Sequence, residues 1–304
     1  MQTILVPLDG SVMAEQALGT ALVLAEALGV EVELVQVLDR TPDVDGDGVA
    51  AERYLVAVAR QLGRRVPTRI RLIWGNPVDE LLRTSGDGPG RMIVMSTRGR
   101  GGMERLILGS VTDRVVRNST VPVVVVRHFP SGEAPRLKHL LVPLDGSQLA
   151  EGALALAIEL ARACGATLGL VRVAEVYPAS SYGLSGDGIP TDDELLMELS
   201  EQLRDDARLY LDEVVRQARE RGVRVVWEAR VGRPADEIVR AAETTAADLV
   251  MMSTHGRGGF RRWAFGSVTD EVVRASPVPV LVLPPRYAGS AEVGAGLDGT
   301  PAQR

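Results

Sequence analysis

Two periods alternate along the chain. Short runs rich in Val, Ile and Leu, of which TILVP at 3–7 is the first, each give way to a longer stretch in which apolar residues recur every three or four positions. In the first such stretch Ala14, Ala17, Leu18, Ala21, Leu22, Ala25 and Leu28 fall at the i, i+3, i+4, i+7 spacing of one helical stripe. The alternation continues through VELVQVL (32–38), a helix near 49–63, PTRIRLI (67–73), a helix from Val78, RMIVMS (91–96), a helix from Ser110 and PVVVV (122–126). Five apolar strands with a helix between each pair predict a parallel sheet covered on both faces, in a doubly wound α/β fold.

The pattern is then written again. ILVPLDGS at 4–11 returns as LLVPLDGS at 140–147, and the stripe returns as Ala150, Ala153, Leu154, Ala157, Ile158, Ala161 and Cys164. STRGRGGMERLILGSVTD at 96–113 returns as STHGRGGFRRWAFGSVTD at 253–270. Asp9 and Asp145 are 136 residues apart, whereas Gly99 and Gly256 are 157 apart, so the second copy carries 21 more residues, placed near 175–195. That insertion, with YPASSYGLSGDGIPTDDE, reads better as a surface loop than as a lid. The expected layout is a first domain at 1–127, a linker at 128–137, a second domain at 138–285 and a disordered tail at 286–304, poor in apolar residues.

Composition narrows the chemistry. The 304 residues suffice for about two domains, and the net charge of −6 with 4% aromatics argues against nucleic acid as the main partner. No apolar run is long enough to span a bilayer and the N-terminus has no leader pattern, so a cytoplasmic protein is expected. A single cysteine, Cys164, excludes an internal disulfide and falls on a helix's apolar face. His128, His139 and His255 show no metal spacing, and no metal site is expected. Lys138 is the only lysine and stands outside both glycine-rich segments, which closes a Walker A loop.

The remaining chemistry converges where such sheets bind ligands, beyond the carboxyl ends of the strands. Asp9 and Asp145 end the first strand of each copy, after Pro7 and Pro143, and read equally as ligands or as helix caps with Ser11 and Ser147. Each glycine phrase ends a fourth strand and opens a helix at Ser110-Val111-Thr112 or Ser267-Val268-Thr269, where free amides and the helix dipole favour an anion. Gly99, Gly101, Gly102 and Gly109 let amides approach a phosphate, and Ser110 and Thr112 add hydroxyl donors. Arg98, Arg100, Arg105, Arg257, Arg261 and Arg262 read as solvated loop charge or as phosphate screens. Asp113 and Asp270 read as first-turn helix acids.

The spacing Ser96…Gly99…Gly109-Ser110, repeated as Ser253…Gly256…Gly266-Ser267, resembles the G-x2-G-x9-G-[ST] nucleotide loop of universal stress proteins, with serine at the motif's first glycine in both copies. The VPLDGS openings, GNPVDEL and GRPADEI, and the closing VPVVVV and VPVLVL runs share the resemblance, which covers about 1–127 and 138–283. It implies two tandem five-stranded sheets of order 3-2-1-4-5, Rossmann-like and related to the adenine nucleotide alpha hydrolases. It implies an internal pseudo-dimer through the last strands, with further homodimerisation and an unidentified protein partner. By the same resemblance ATP, with Mg²⁺ held by its phosphates, is contacted by Asp9, Val37, Gly99, Gly109 and Ser110, and by Asp145, Val173, Gly256, Gly266 and Ser267. No general base is evident, so a nucleotide-binding regulator with at most slow hydrolysis is expected. The competing expectation is a stress scaffold that binds no nucleotide. An adenylating enzyme lacks its SGGxDS-type loop here, and a flavodoxin-like module lacks its flanking aromatics.

Overall fold

The structure is a computed structural model, and it describes residues 1–38, 47–86, 90–97, 108–127, 135–175, 193–254 and 265–285. The insertion's loop, most of the linker and the tail lie outside them.

In the first half β1 (Thr3–Pro7), α1 (Val12–Leu28), β2 (Glu31–Leu38), α2 (Asp47–Leu62), β3 (Thr68–Trp74), α3 (Pro77–Gly86), β4 (Arg91–Ser96), α4 (Ser110–Asn118) and β5 (Val123–Val126) follow one another. The second half repeats the order as β6 (His139–Pro143), α5 (Gln148–Cys164), β7 (Thr167–Ala174), α6 (Asp193–Glu220), β8 (Arg224–Val231), α7 (Pro234–Thr244), β9 (Leu249–Ser253), α8 (Ser267–Ala275) and β10 (Val280–Leu283). The added residues lengthen α6 to 28 residues against 16 in α2.

Local signals set the helix ends. In α1 the Ser11 hydroxyl accepts the Ala14 N–H, and Gly29 closes the helix at a left-handed φ of 65°, donating to the Ala25 and Glu26 carbonyls. Ser147 and Gly165 do the same for α5. The alanine stripe of α1 is buried at Ala14, Ala17, Ala21 and Ala25, with Leu18, Leu22 and Leu28 packed at its margin. Small residues there let the helix lie close on the sheet.

The two five-stranded parallel sheets have the expected order and join into one ten-stranded sheet, β3-β2-β1-β4-β5-β10-β9-β6-β7-β8. The single antiparallel step among the described strands is β5 against β10, pairing Val123 with Val282, Val124 with Leu281 and Val125 with Val280. Each half thus covers the edge strand of the other, removing two exposed ladders. One apolar layer lies under α1, α2, α5 and α6, and a second under α3, α4, α7 and α8.

Candidate functional site

Within each half the winding reverses between the first and fourth strands, the point at which such sheets leave a crevice at the strands' carboxyl ends. Because β5 and β10 run antiparallel, the two crevices sit on opposite edges of the joint sheet.

At the first crevice β1 ends at Pro7, and the Leu8 N–H donates to the Val35 carbonyl at 2.8 Å. Gly10 then takes a left-handed φ of 80°, turning the chain into α1 and leaving Asp9 half-buried at the rim. Asp9 Oδ1 accepts the Ser11 N–H at 2.9 Å. In the second half Asp145 Oδ1 accepts both the N–H and the hydroxyl of Ser147, at 2.9 and 2.7 Å, beside Gly146 with φ 80°. Ser11 and Ser147 are helix caps, and each aspartate shapes its turn through one carboxylate oxygen.

Val37 and Val173 enter through their backbones. Peptide groups two apart along a strand face the same neighbour. Val35 bonds towards β1, so Val37 faces that way too, but the β1–β2 ladder stops at the Pro7–Val35 pair. The peptide edge of Val37 therefore looks into the crevice above the end of β1. The β6–β7 ladder likewise stops at Pro143–Val171, two residues short of Val173. On the opposite side the Gly75 N–H donates to the Leu38 carbonyl at 2.8 Å and Gly232 to Ala174 at 3.0 Å, which fixes these strand tips.

The far wall is a helix N-terminus. Gly109 precedes α4 with φ −61° and ψ 147°, and Gly266 precedes α8 with φ −61° and ψ 139°. Neither glycine has a side chain to cap its helix, in contrast to Ser11 and Ser147. Each is anchored to the strand beside it, Gly109 N–H to the Thr97 carbonyl and Gly266 N–H to the Thr254 carbonyl, both at 2.7 Å. The first-turn amides of Ser110, Val111 and Thr112, and of Ser267, Val268 and Thr269, carry the helix's partial positive charge. Ser110 and Ser267 are exposed there, while Val111 and Val268 pack against the core.

The two threonine side chains correct an expectation. The Thr112 hydroxyl donates to the Ser96 carbonyl and the Thr269 hydroxyl to the Ser253 carbonyl, both at 2.9 Å and buried. They tie helix to strand and are not donors to a phosphate; Ser96 and Ser253 are themselves buried at the strand ends. Gly99, Gly256 and the six loop arginines lie outside the described residues.

One cluster went unread in the sequence. α4 and α8 lie side by side in opposite directions, so the C-terminal Arg117 of one meets the first-turn Asp270 of the other. Arg117 Nη2 is 2.8 Å from Asp270 Oδ1, and its Nε is 3.0 Å from Asp113. Arg274 Nε is 2.9 Å from Asp270 Oδ2, and its Nη2 is 3.4 Å from Asp113 Oδ1. Burial alone would raise the Asp270 pKa, but the hydrogen bonds and charges of Arg274 and Arg117 outweigh it and hold the carboxyl below its ordinary range. Arg117 also lies over the Phe265 ring, 4.9 Å from its centroid. The signal was available as Asp-x3-Arg in both copies of the helix.

The halves also differ beside the crevices. Gln36 on β2 is replaced by Arg172 on β7, which lies 4.4 Å over the Tyr210 ring. Burial, then the neighbouring Glu151 carboxylate, pushes the Tyr210 pKa up to about 12. Cys164 is half-buried and pushed up to about 11 by desolvation, so it carries no thiolate chemistry near neutral pH. Among the described residues no three His, Cys, Asp or Glu side chains are grouped to hold a metal, and no helix is long and apolar enough to cross a membrane.

The model of the universal stress protein family matches residues 1–127 and again 136–284. A universal stress protein of Mycobacterium tuberculosis is 32% identical over 222 residues, spanning 72% of this chain and 70% of its own. A second from the same organism is 27% identical along 92% of this chain and 94% of its own. The crystal structure of a universal stress protein from Archaeoglobus fulgidus superposes with a TM-score of 0.69 at 24% identity, covering 93% of this chain and 98% of that one, a likeness of fold.

Proposed function

Because the chain belongs to the universal stress protein family, we propose that each half holds one adenine nucleotide, ATP with Mg²⁺ carried by its phosphates, and that the protein is a nucleotide-binding regulator rather than a fast enzyme. The observation that carries this reading is the repeated pairing, at each switch point, of a strand-tip peptide edge that extends past its neighbour's ladder with a helix that begins at a glycine cap. The edge of Val37 or Val173 suits the hydrogen-bonding rim of adenine, and Asp9 or Asp145 stands at the rim where ribose hydroxyls would lie. The amides from Ser110 or Ser267 onward suit the phosphates, with the serine hydroxyl beside them. Bound phosphates would supply the Mg²⁺ ligands that the described side chains do not gather.

Holding rather than consuming the nucleotide fits the carboxylates that the described residues place in the first turns of α4 and α8. Asp113 and Asp270 are ion-paired to arginines and are poor general bases.

The test is nucleotide content. Full-length protein, denatured after purification or after dialysis against Mg-ATP, should release close to two adenine nucleotides per chain, read by chromatography and absorbance. Gly109→Val with Gly266→Val should abolish release while leaving the circular dichroism intact, because both glycines have backbone angles that valine adopts freely. Wild-type protein that takes up no ATP would favour the scaffold. Sustained turnover at saturating Mg-ATP would make it an enzyme instead.

A further inference from the structure

The α4–α8 contact places an arginine of each half at the phosphate end of the other half's crevice. Arg117, in the last turn of α4, touches residues on both sides of the α8 start. It stacks over Phe265, which precedes the Gly266 cap, and pairs with Asp270 in the first turn. Arg274, in the last turn of α8, reaches Asp113 in the first turn of α4. We propose that each nucleotide site is completed in trans, Arg117 serving the second site and Arg274 the first, and that sharing these two guanidiniums makes filling one site weaken the other. The inference rests on the nucleotide reading above.

The charges give the sign. Two arginines and two aspartates form a neutral quartet with every member partly exposed, side-chain accessibilities running from 27% to 36%. A polyphosphate at the start of α4 adds negative charge beside Asp113. Arg274, whose 3.4 Å contact with Asp113 is the longest of the quartet, is drawn towards it and loosens its grip on Asp270. Asp270 then presents less neutralised charge at the start of α8, where the second polyphosphate must bind. The reverse sequence works through Arg117 and Asp113, as linkage requires.

The two directions are not built equally. Besides Arg117 at the start of α8, the first half places the Arg127 guanidinium on the Arg274 and Ser276 carbonyls at its end. The sequence equivalent of Arg127 is Pro284 and that of Phe265 is Leu108, so among the described residues α4 receives neither contact. Loss of Arg117 is therefore expected to weaken the second site more than loss of Arg274 weakens the first.

The experiment is a binding cycle on the full chain with Mg-ATP. Gly109→Val reports the second site alone, and Gly266→Val the first alone. If the sites are coupled as proposed, the product of the two stepwise association constants of wild type falls below the product of these single-site constants by about five-fold, the low end of usual couplings because the quartet is partly exposed. In Arg117→Gln with Arg274→Gln, measured in the same cycle, the deficit should disappear. Wild type should also lose the deficit as salt rises, a readout that needs no variant at the seam. Equal products in wild type, or a deficit that survives both the arginine variants and high salt, would overturn the coupling while leaving nucleotide binding in place. No binding by wild type at all would remove the nucleotide reading, and the coupling with it.

Discussion

The Thr112 hydroxyl is the one described side-chain donor that fastens the start of α4 to the end of β4, through the Ser96 carbonyl at 2.9 Å. Thr112 is itself buried, and so is the carbonyl it serves. Removing the donor breaks a buried hydrogen bond, which costs about 0.5–1.5 kcal/mol. Thr112→Val nearly preserves shape, so urea unfolding of that variant should show a loss in this range, and Thr112→Ser should recover most of it. Because the clamp sets where the first-turn amides lie, Thr112→Val should also weaken nucleotide binding at the first site. An unchanged midpoint in Thr112→Val would mean that the backbone anchor from Gly109 to Thr97 holds the helix unaided.

Elements in this fold are held by their ends and by one apolar face. Gly29 ends α1 at φ 65° with open space where a Cβ would be added, so Gly29→Ala isolates the backbone cost of that conformation. It should destabilise the protein by about 1–2 kcal/mol in equilibrium unfolding, with no packing contribution. At the seam Leu281 is fully buried opposite Val124. Leu281→Ala should cost about 2–5 kcal/mol, because the strands on either side cannot close on the cavity without breaking their ladders. The strands and the α1 and α5 stripes were legible in the sequence, since period and capping residues act locally. The Val37 and Val173 peptide edges were not, because they depend on where the neighbouring ladder stops. Neither was the turning of Thr112 and Thr269 inward, which is decided by a carbonyl sixteen residues away.

At the scale of the molecule the two halves share one sheet, and across its seam α4 and α8 meet in the arginine–aspartate quartet. A repeat in the sequence says that two such helices exist; only the antiparallel seam brings Asp113 and Asp270 within reach of arginines more than 150 residues away. That contact has a pH signature. Asp270 is held below its ordinary value of 3.8, burial being outweighed by Arg274 and Arg117. A carboxyl depressed on folding contributes stability that is fully present above its unfolded value and is lost as pH falls through the depressed one. Wild type should therefore melt above Asp270→Asn near neutral pH, and the gap should close as pH drops below 3.8 and the carboxyl takes up its proton. At low pH the protonated aspartic acid and the asparagine are both neutral, so the two melting curves should meet. A gap that stays constant down to the acid limit of the folded state would show that Asp270 acts through shape, and the charge argument for communication between the halves would then lose its footing.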